Sequence, residues 1–308
     1  MKIKNMNINM EVANKFFENL NKKDTIKFVT HHGLFHADDV CCAALLSNLY
    51  PDKNIEVIRT RENIEDFDIM LDVGRSDEVT ENQLRLDHHQ DEAKENTYAN
   101  KVRACALAKF AEVYYGDDAH MHLLRKKLLY PVSANDNGQE IENLHPSPFA
   151  WVKYMNPNGV ISQKVSDAMF CKAVEISRVI LKKIEDNITF TLESKPIWDK
   201  GVLNMSIDGI IVLEQGMPWM EYLFGSDLED VAKFVIFPHA THGWVLRTIP
   251  TKEGGYVAKY PLPYGWWGTT AQDNKFDGME FCHNTGFMAV FTTKEQAIAA
   301  AEYVISQL

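Results

Sequence analysis

Three short apolar runs in the first third of the chain end in side chains that bind metals rather than in turn residues. Ile26 to Thr30 runs into His31, His36 and Asp38; Asp68 to Val73 carries Asp72 near its end; Leu84 to Leu86 leads straight into Asp87, His88 and His89. A parallel sheet brings its strand ends to one edge, so groups far apart in sequence converge there. The pattern predicts an α/β sheet with a dinuclear metal site at that edge. Mixed carboxylate and imidazole donors suit divalent manganese, iron or zinc better than calcium.

The spacing within each cluster supports this reading. His31-x(4)-His36-x-Asp38 cannot face one way along a straight strand, because a strand alternates its faces, so a loop must fold the three groups inward. Asp72 has Ile69, Leu71 and Val73 as neighbours, and an ionised carboxylate among them needs a cation or donors to offset desolvation. In Asp87-His88-His89 one imidazole is offered as a ligand and the next faces elsewhere, with Asp87 orienting one of them through its second ring nitrogen. Asp136, in the polar turn Ser133 to Gly138 after an apolar helix, is a further candidate ligand.

At 308 residues the chain accommodates two domains, and 45% hydrophobic with 24% charged residues is an ordinary globular composition. No run of about 18 apolar residues could cross a membrane. Glu11 and Glu18, in a segment lacking an apolar core, argue against a secretory signal or organelle presequence. Five cysteines with no C-x-x-C pair point to a reduced, cytoplasmic protein, with Cys41, Cys42 and Cys171 read as small buried hydrophobes. The net charge of −11 argues against broad adhesion to duplex nucleic acid, although bound cations would cancel part of it locally.

Periodicity predicts a helix over Glu11 to Asn21 and strands over Ile26 to Thr30, Ile55 to Arg59, Asp68 to Val73 and Leu84 to Leu86. Asp38 or Asp39 caps a helix that Pro51 stops, and further helices cover Tyr98 to Tyr115, Ala119 to Leu129 and, at amphipathic spacing, Val165 to Ile184. Beyond these, Gly209 to Leu213, Val231 to Phe237 and Trp244 to Ile249 read as strands, the last two forming a hairpin, and Thr293 to Ile305 closes the chain as a helix. The expected fold class is therefore α/β: an N-terminal extension (1–23), a parallel-sheet catalytic domain (24–190) and a smaller α+β substrate-recognition domain (201–308).

The strings THHGLFHADDV (Thr30 to Val40), DIMLDVG (Asp68 to Gly74), LDHHQ (Leu86 to Gln90) and NDNG (Asn135 to Gly138) resemble the four motifs of the DHH phosphoesterase superfamily. More narrowly they resemble the melanocyte-proliferating-gene exonucleases, once called metal-dependent protein hydrolases. The likeness continues through Pro218-Trp219, Phe234 to Pro238, Trp244 to Pro250, Pro261 to Pro263 and Phe281 to Phe287. It implies that His31, His36 and Asp72 hold one divalent metal ion and Asp38, Asp72, His88 and Asp136 a second, with Asp72 bridging and manganese favoured over magnesium, iron or zinc. It implies a metal-activated water attacking phosphorus, with His89 at the phosphoryl group and Arg61, Lys101, Arg247 and His283 as basic groups for substrate. Departures from the family pattern fall at His32, at Ala104-Cys105-Ala106 and at Gly286 to Val290, beside the metal ligands or the substrate.

The expected function is a metal-dependent phosphodiesterase, a 3′-5′ exonuclease on single-stranded RNA, DNA or short oligonucleotides. The alternatives are a phosphohydrolase for pyrophosphate or cyclic or dinucleotides, and a non-catalytic metal- or nucleic-acid-binding module. A single-stranded nucleic acid or nucleotide is the expected partner; no membrane is, and an oligomer is compatible with the sequence. His120, His122, His145, His239 and His242 read as solvated or hydrogen-bonded side chains. Trp219, Trp244, Trp266 and Trp267 offer faces for stacked bases, with core packing the reading for the first two.

Overall fold

The structure is a computed structural model and describes residues 3–142, 144, 146–159 and 162–308; His145 lies outside these. The chain is mixed α/β with two five-stranded sheets, and divides into two compact units, Met1–Thr189 and Phe190–Leu308.

In the first unit, α1 (Met10–Leu20) starts at Asn9, whose side chain accepts the N–H groups of Glu11 and Val12. It buries Ala13, Phe16 and Leu20, so the segment read as an extension packs into this unit. Strands β1 (Thr25–Thr30), β2 (Asn54–Arg59), β3 (Ile69–Leu71), β4 (Glu78–Val79) and β5 (Leu84–Leu86) lie in the order β2-β1-β3-β5-β4. All neighbours are parallel except β4, which pairs antiparallel with β5 at the edge. Between β1 and β2 runs α2 (Ala37–Leu49), buried on almost every face from Ala37 to Leu46, which is why its sequence shows little amphipathic period.

The helix expected from Tyr98 begins only at Ala106 (α3, Ala106–Tyr115). Asn100 Oδ1 accepts the N–H of Val102, and Lys101 turns at φ +67°, which a helix cannot continue through. Next, α4 (Ala119–Leu124), a π-helical turn (Arg125–Leu129) and α5 (Tyr130–Asp136) run on from one another. Pro131 lacks an N–H to donate, and the wider turn precedes it. Asp136 therefore ends a helix instead of lying in a turn after one. The long α6 (Gln163–Glu193) follows. Cys41 and Cys42 are buried, but Cys171 stands on the exposed face of α6, a correction to its reading as a buried hydrophobe.

In the second unit, α7 (Lys195–Leu203), β6 (Ile210–Val212), α8 (Met220–Leu223), β7 (Phe234–Pro238), β8 (Trp244–Thr248), β9 (Met279–Cys282), β10 (Met288–Phe291) and α9 (Lys294–Ser306) follow in order. The sheet order is β6-β7-β8-β10-β9, with only β6 and β7 parallel. Alternation in β7 sends Phe234 and Ile236 to the core under α9, and Val235 to the opposite core around Trp198 and Trp219. Trp266 is buried against α9 with Trp244 and Trp267 packed beside it, which removes Trp266 from the faces open to a base. Among the described residues no helix is long and apolar enough to cross a membrane.

Candidate metal centre

Pairing of Val29 with Met70 and of Leu71 with Leu86 aligns β1, β3 and β5, so the residues just past their C-terminal ends arrive side by side. Asp72 leaves β3 at φ +60°, a left-handed conformation that costs a non-glycine residue ~1–3 kcal/mol. Its N–H is fixed on the Leu86 carbonyl at 3.1 Å, and its carboxylate is fully buried. Asp38 and Asp39 occupy the first turn of α2, where the partial positive charge of the helix end favours them. Asp39 Oδ1 accepts the N–H of His36 at 3.0 Å and so shapes the loop entering that helix.

These elements bring all six expected ligands into one cluster. His31 Nε2 stands 3.2 Å from Asp72 Oδ2, and His88 Nε2 stands 3.0 Å from Asp72 Oδ1 and 3.2 Å from Asp136 Oδ2. Asp38 Oδ2 is 3.9 Å from His88 Nε2, and His36 Nδ1 is 3.6 Å from Asp136 Oδ1. Donor atoms fall within 4.8 Å of one another in three sets: His31, His36 and Asp72; Asp72, His88 and His89; His36, Asp38 and Asp136.

The donor chemistry fits divalent cations. Both oxygens of Asp38 and of Asp72, Asp39 Oδ2, Asp136 Oδ2 and His31 Nε2 are buried with no hydrogen-bond partner among the described residues. His31 Nδ1 faces the His32 carbonyl at 3.0 Å, which assigns the ring N–H to Nδ1 and a lone pair to Nε2. That lone pair points at Asp39 and Asp72 oxygens 3.1 and 3.2 Å away, an arrangement that repels unless a positive charge lies between. In the absence of metal, protons take that place. Burial opposes charge on His31, but Asp39 and Asp72 outweigh it and raise its pKa to about 11. Burial, with Asp38 and Asp72 nearby, raises Asp136 to about 10, and burial with Asp72 raises Asp38 to about 7. For Asp72, burial is outweighed by His31, His88 and His89, which hold it well below the usual carboxylate range.

Asp87 orients His89 rather than His88. Its Oδ1 lies 2.8 Å from His89 Nδ1 and accepts the N–H groups of His88 and His89, while Oδ2 accepts the N–H of Arg75 at 2.6 Å. Asp87 is thus a positioning group and its pKa is lowered: burial pushes it up, but His89 and the backbone donors prevail. His89 is half exposed, and Asp72 and Asp87 raise its pKa to about 10.

Three residues escaped the sequence reading as parts of this centre. Asp39 was read only as one choice of helix cap, yet its carboxylate meets His31. Lys109, fully buried in α3, donates to Asp77 Oδ2 at 2.6 Å and to the Asp87 carbonyl at 2.5 Å, while Asp77 Oδ1 accepts the Asp87 N–H at 3.1 Å. Lys109 and Asp77 therefore clamp both backbone groups of Asp87. The apolar periodicity of α3 was a signal that Lys109 faces inward.

The expected substrate groups are divided between the two units. Arg61 and Lys101 are exposed, with no side-chain hydrogen bond or ion pair among the described residues. Arg247 and His283 belong to the second unit, where they meet around Phe287: the guanidinium lies 4.0 Å and the His283 ring 4.3 Å from its ring centroid. Burial lowers the Arg247 pKa to about 10. His120 pairs with Glu185 and His242 with Glu280.

Comparison with known proteins adds the lineage. The family model described as an uncharacterised protein family (UPF0160), labelled for the MYG1 exonuclease, matches residues 27–305. The chain is 26% identical over 317 residues to the MYG1 protein of Dictyostelium discoideum, covering 90% of this chain and 96% of that one. It is 23% identical over 328 residues to the MYG1 exonuclease of Mus musculus, covering 90% and 84%. An exopolyphosphatase-related protein from Bacteroides fragilis aligns over 98% of this chain and 97% of its own at 13% identity, with a TM-score of 0.27. With nearly its whole length matched, the chain belongs to the uncharacterised protein family UPF0160, the family of the MYG1 exonucleases.

Proposed function

We propose that this protein is a metal-dependent phosphodiesterase of the DHH type that removes nucleotides from the 3′ end of single-stranded RNA, DNA or short oligonucleotides. The observation that carries the reading is the set of buried, unpartnered oxygens of Asp38, Asp72 and Asp136 facing His31 and His88. The name of the mouse relative, an exonuclease, agrees with it.

In this reading His31, His36 and Asp72 hold one cation and Asp38, Asp72, His88 and Asp136 a second, manganese being the favoured ion. Divalent ions so held lower the pKa of water and offset charge on a phosphoryl group. His89, half exposed beside Asp72, faces the phosphoryl oxygens and donates to them from the ring edge that Asp87 leaves free. Asp87 keeps that ring oriented, and Asp72 with Asp87 favours its protonated form. Lys109 and Asp77 hold Asp87, and Asp39 holds the His36 loop, so the ligand cage is built before substrate arrives. Arg247 and His283, both in the second unit, are the residues of that unit proposed to contact the substrate.

The test is degradation of 3′-labelled and 5′-labelled single strands with manganese. Progressive shortening from the 3′ end is expected; no shortening of either strand by metal-loaded protein removes the proposal. A second reading, a phosphohydrolase for dinucleotides or pyrophosphate, is favoured by the net charge of −11, which repels a long polyanion. Faster turnover of a dinucleotide than of a 20-mer would select it.

A further inference from the structure

A cavity of about 420 Å³ opens beside the metal-binding cluster, wholly within the first unit. His36 and Asp136 form one end; Leu34, Phe35, Phe149 and Lys153 line the rest. The ligand cage explains only that first end. The other walls are largely apolar and come in part from a segment, Phe149 to Asn156, that carries no ligand.

The walls are braced. Asn156 has its amide fully engaged, accepting the Phe35 N–H at 2.9 Å and donating to the Phe35 carbonyl at 2.7 Å. Arg59 donates to the Gly33 carbonyl at 2.7 Å and stacks over Phe170, with the guanidinium carbon 4.7 Å from the ring centroid. The rim has the opposite character. Leu34 is 61% exposed and lines the same cavity as His36 and Asp136. The Asn135 amide and the Lys153 ammonium also border the cavity, with no hydrogen bond or ion pair among the described residues.

A cavity with braced, largely apolar walls, an amide with no hydrogen bond, a lysine whose ammonium lies 5.0 Å from the Tyr154 ring centroid, and a metal-binding end fit a ligand with an apolar body, a hydrogen-bonding edge and an anion. We propose that the cavity binds the terminal nucleoside of the substrate, its base along Leu34 and Ala150 with Asn135 at the base edge, its phosphate at His36 and Asp136, and Lys153 meeting negative charge at the rim. At about 420 Å³ the cavity lies within the ~300–1,000 Å³ range of small-molecule pockets, a size that suits one nucleotide. The proposal rests on the phosphodiesterase reading and adds to it a base-binding subsite, which makes the end of a strand the part that is recognised.

Equilibrium binding of AMP, ribose 5-phosphate and inorganic phosphate to the manganese-loaded protein tests it. AMP is expected to bind at least tenfold more tightly than ribose 5-phosphate. Ala150→Trp, which fills the slot, should bring that ratio near one, and Leu34→Asp, at an exposed site that folding does not depend on, should lower it severalfold. Equal binding of AMP and ribose 5-phosphate by the wild type, or a ratio unchanged in Leu34→Asp, overturns the proposal. Manganese-dependent hydrolysis of bis(p-nitrophenyl) phosphate by the wild type separates the two ideas. Its presence without a base preference removes only the subsite, whereas its absence removes the phosphodiesterase.

Discussion

Asp72 Oδ1 stands 3.0 Å from His88 Nε2, yet neither oxygen of this fully buried carboxylate accepts a hydrogen bond among the described residues. A group left in that state is stabilised by whatever cation binds it. Manganese at about 100 times its dissociation constant should therefore add ~2.7 kcal/mol to folding, seen as a rise in Tm of roughly 5–10 °C. Asp72→Asn should abolish the rise. Calorimetry with and without the ion checks both.

Lys109 and Asp77 form a buried pair whose only visible task is to hold the backbone of Asp87. Removing one partner strands the other, so Lys109→Met or Asp77→Asn should each cost ~3–5 kcal/mol. The double variant should recover part of this, because no lone charge remains buried. It should still bind manganese more weakly than wild type, since the loop carrying His88 loses its clamp. Urea unfolding and metal titration of the three variants separate the two effects.

His89→Gln should leave metal content unchanged, and its cost in stability should be small beside that of losing a buried ligand, because the ring is half exposed and solvent screens its bonds to Asp87 and Asp72. Its kcat should fall ~100- to 1,000-fold, the usual loss on removing one transition-state donor. Steady-state kinetics alongside metal analysis decide this.

Metal-free protein should lose stability as the pH rises. His31 at about 11 and His89 at about 10 lie above their ordinary 6.5, and Asp136 at about 10 lies above 3.8. In each case the contribution is complete below the ordinary value and disappears as pH passes the raised one, so the decline spans about pH 4 to 11. Cations displace those protons, and apparent manganese affinity should climb over the same window. Asp72 and Asp87, held low, oppose the trend only in acid, where their contribution is lost as they protonate. Chemical denaturation with and without chelator, repeated between pH 5 and 9, follows both trends.

The metal-binding edge was legible because its ligands follow apolar runs at parallel-strand ends, where periodicity and chemistry agree: His31 after β1, Asp72 after β3, His88 after β5. Asp136 does lie beside His36 and His88, but it was placed on the wrong backbone, since Pro131 disguises a helix that a π-helical turn carries past it. Asp39 was hidden behind its neighbour, as helix caps and metal ligands use the same side chain. The period of α3 marked Lys109 as facing inward, but its partner Asp77 is 32 residues away, and a contact at that distance leaves no local pattern. Strands β9 and β10 were missed for the same reason: Glu280 and the exposed Phe281 spoil the alternation of β9, and pairing alone defines it.

The central claim is that these buried carboxylates and imidazoles are a cage for divalent cations. Anomalous diffraction from crystals grown with manganese tests it most directly. Two peaks are expected, one against His31, His36 and Asp72 and one against Asp38, His88 and Asp136, both lost in Asp72→Asn. A structure in which the same side chains keep these positions in millimolar manganese with no anomalous peak among them would contradict the account.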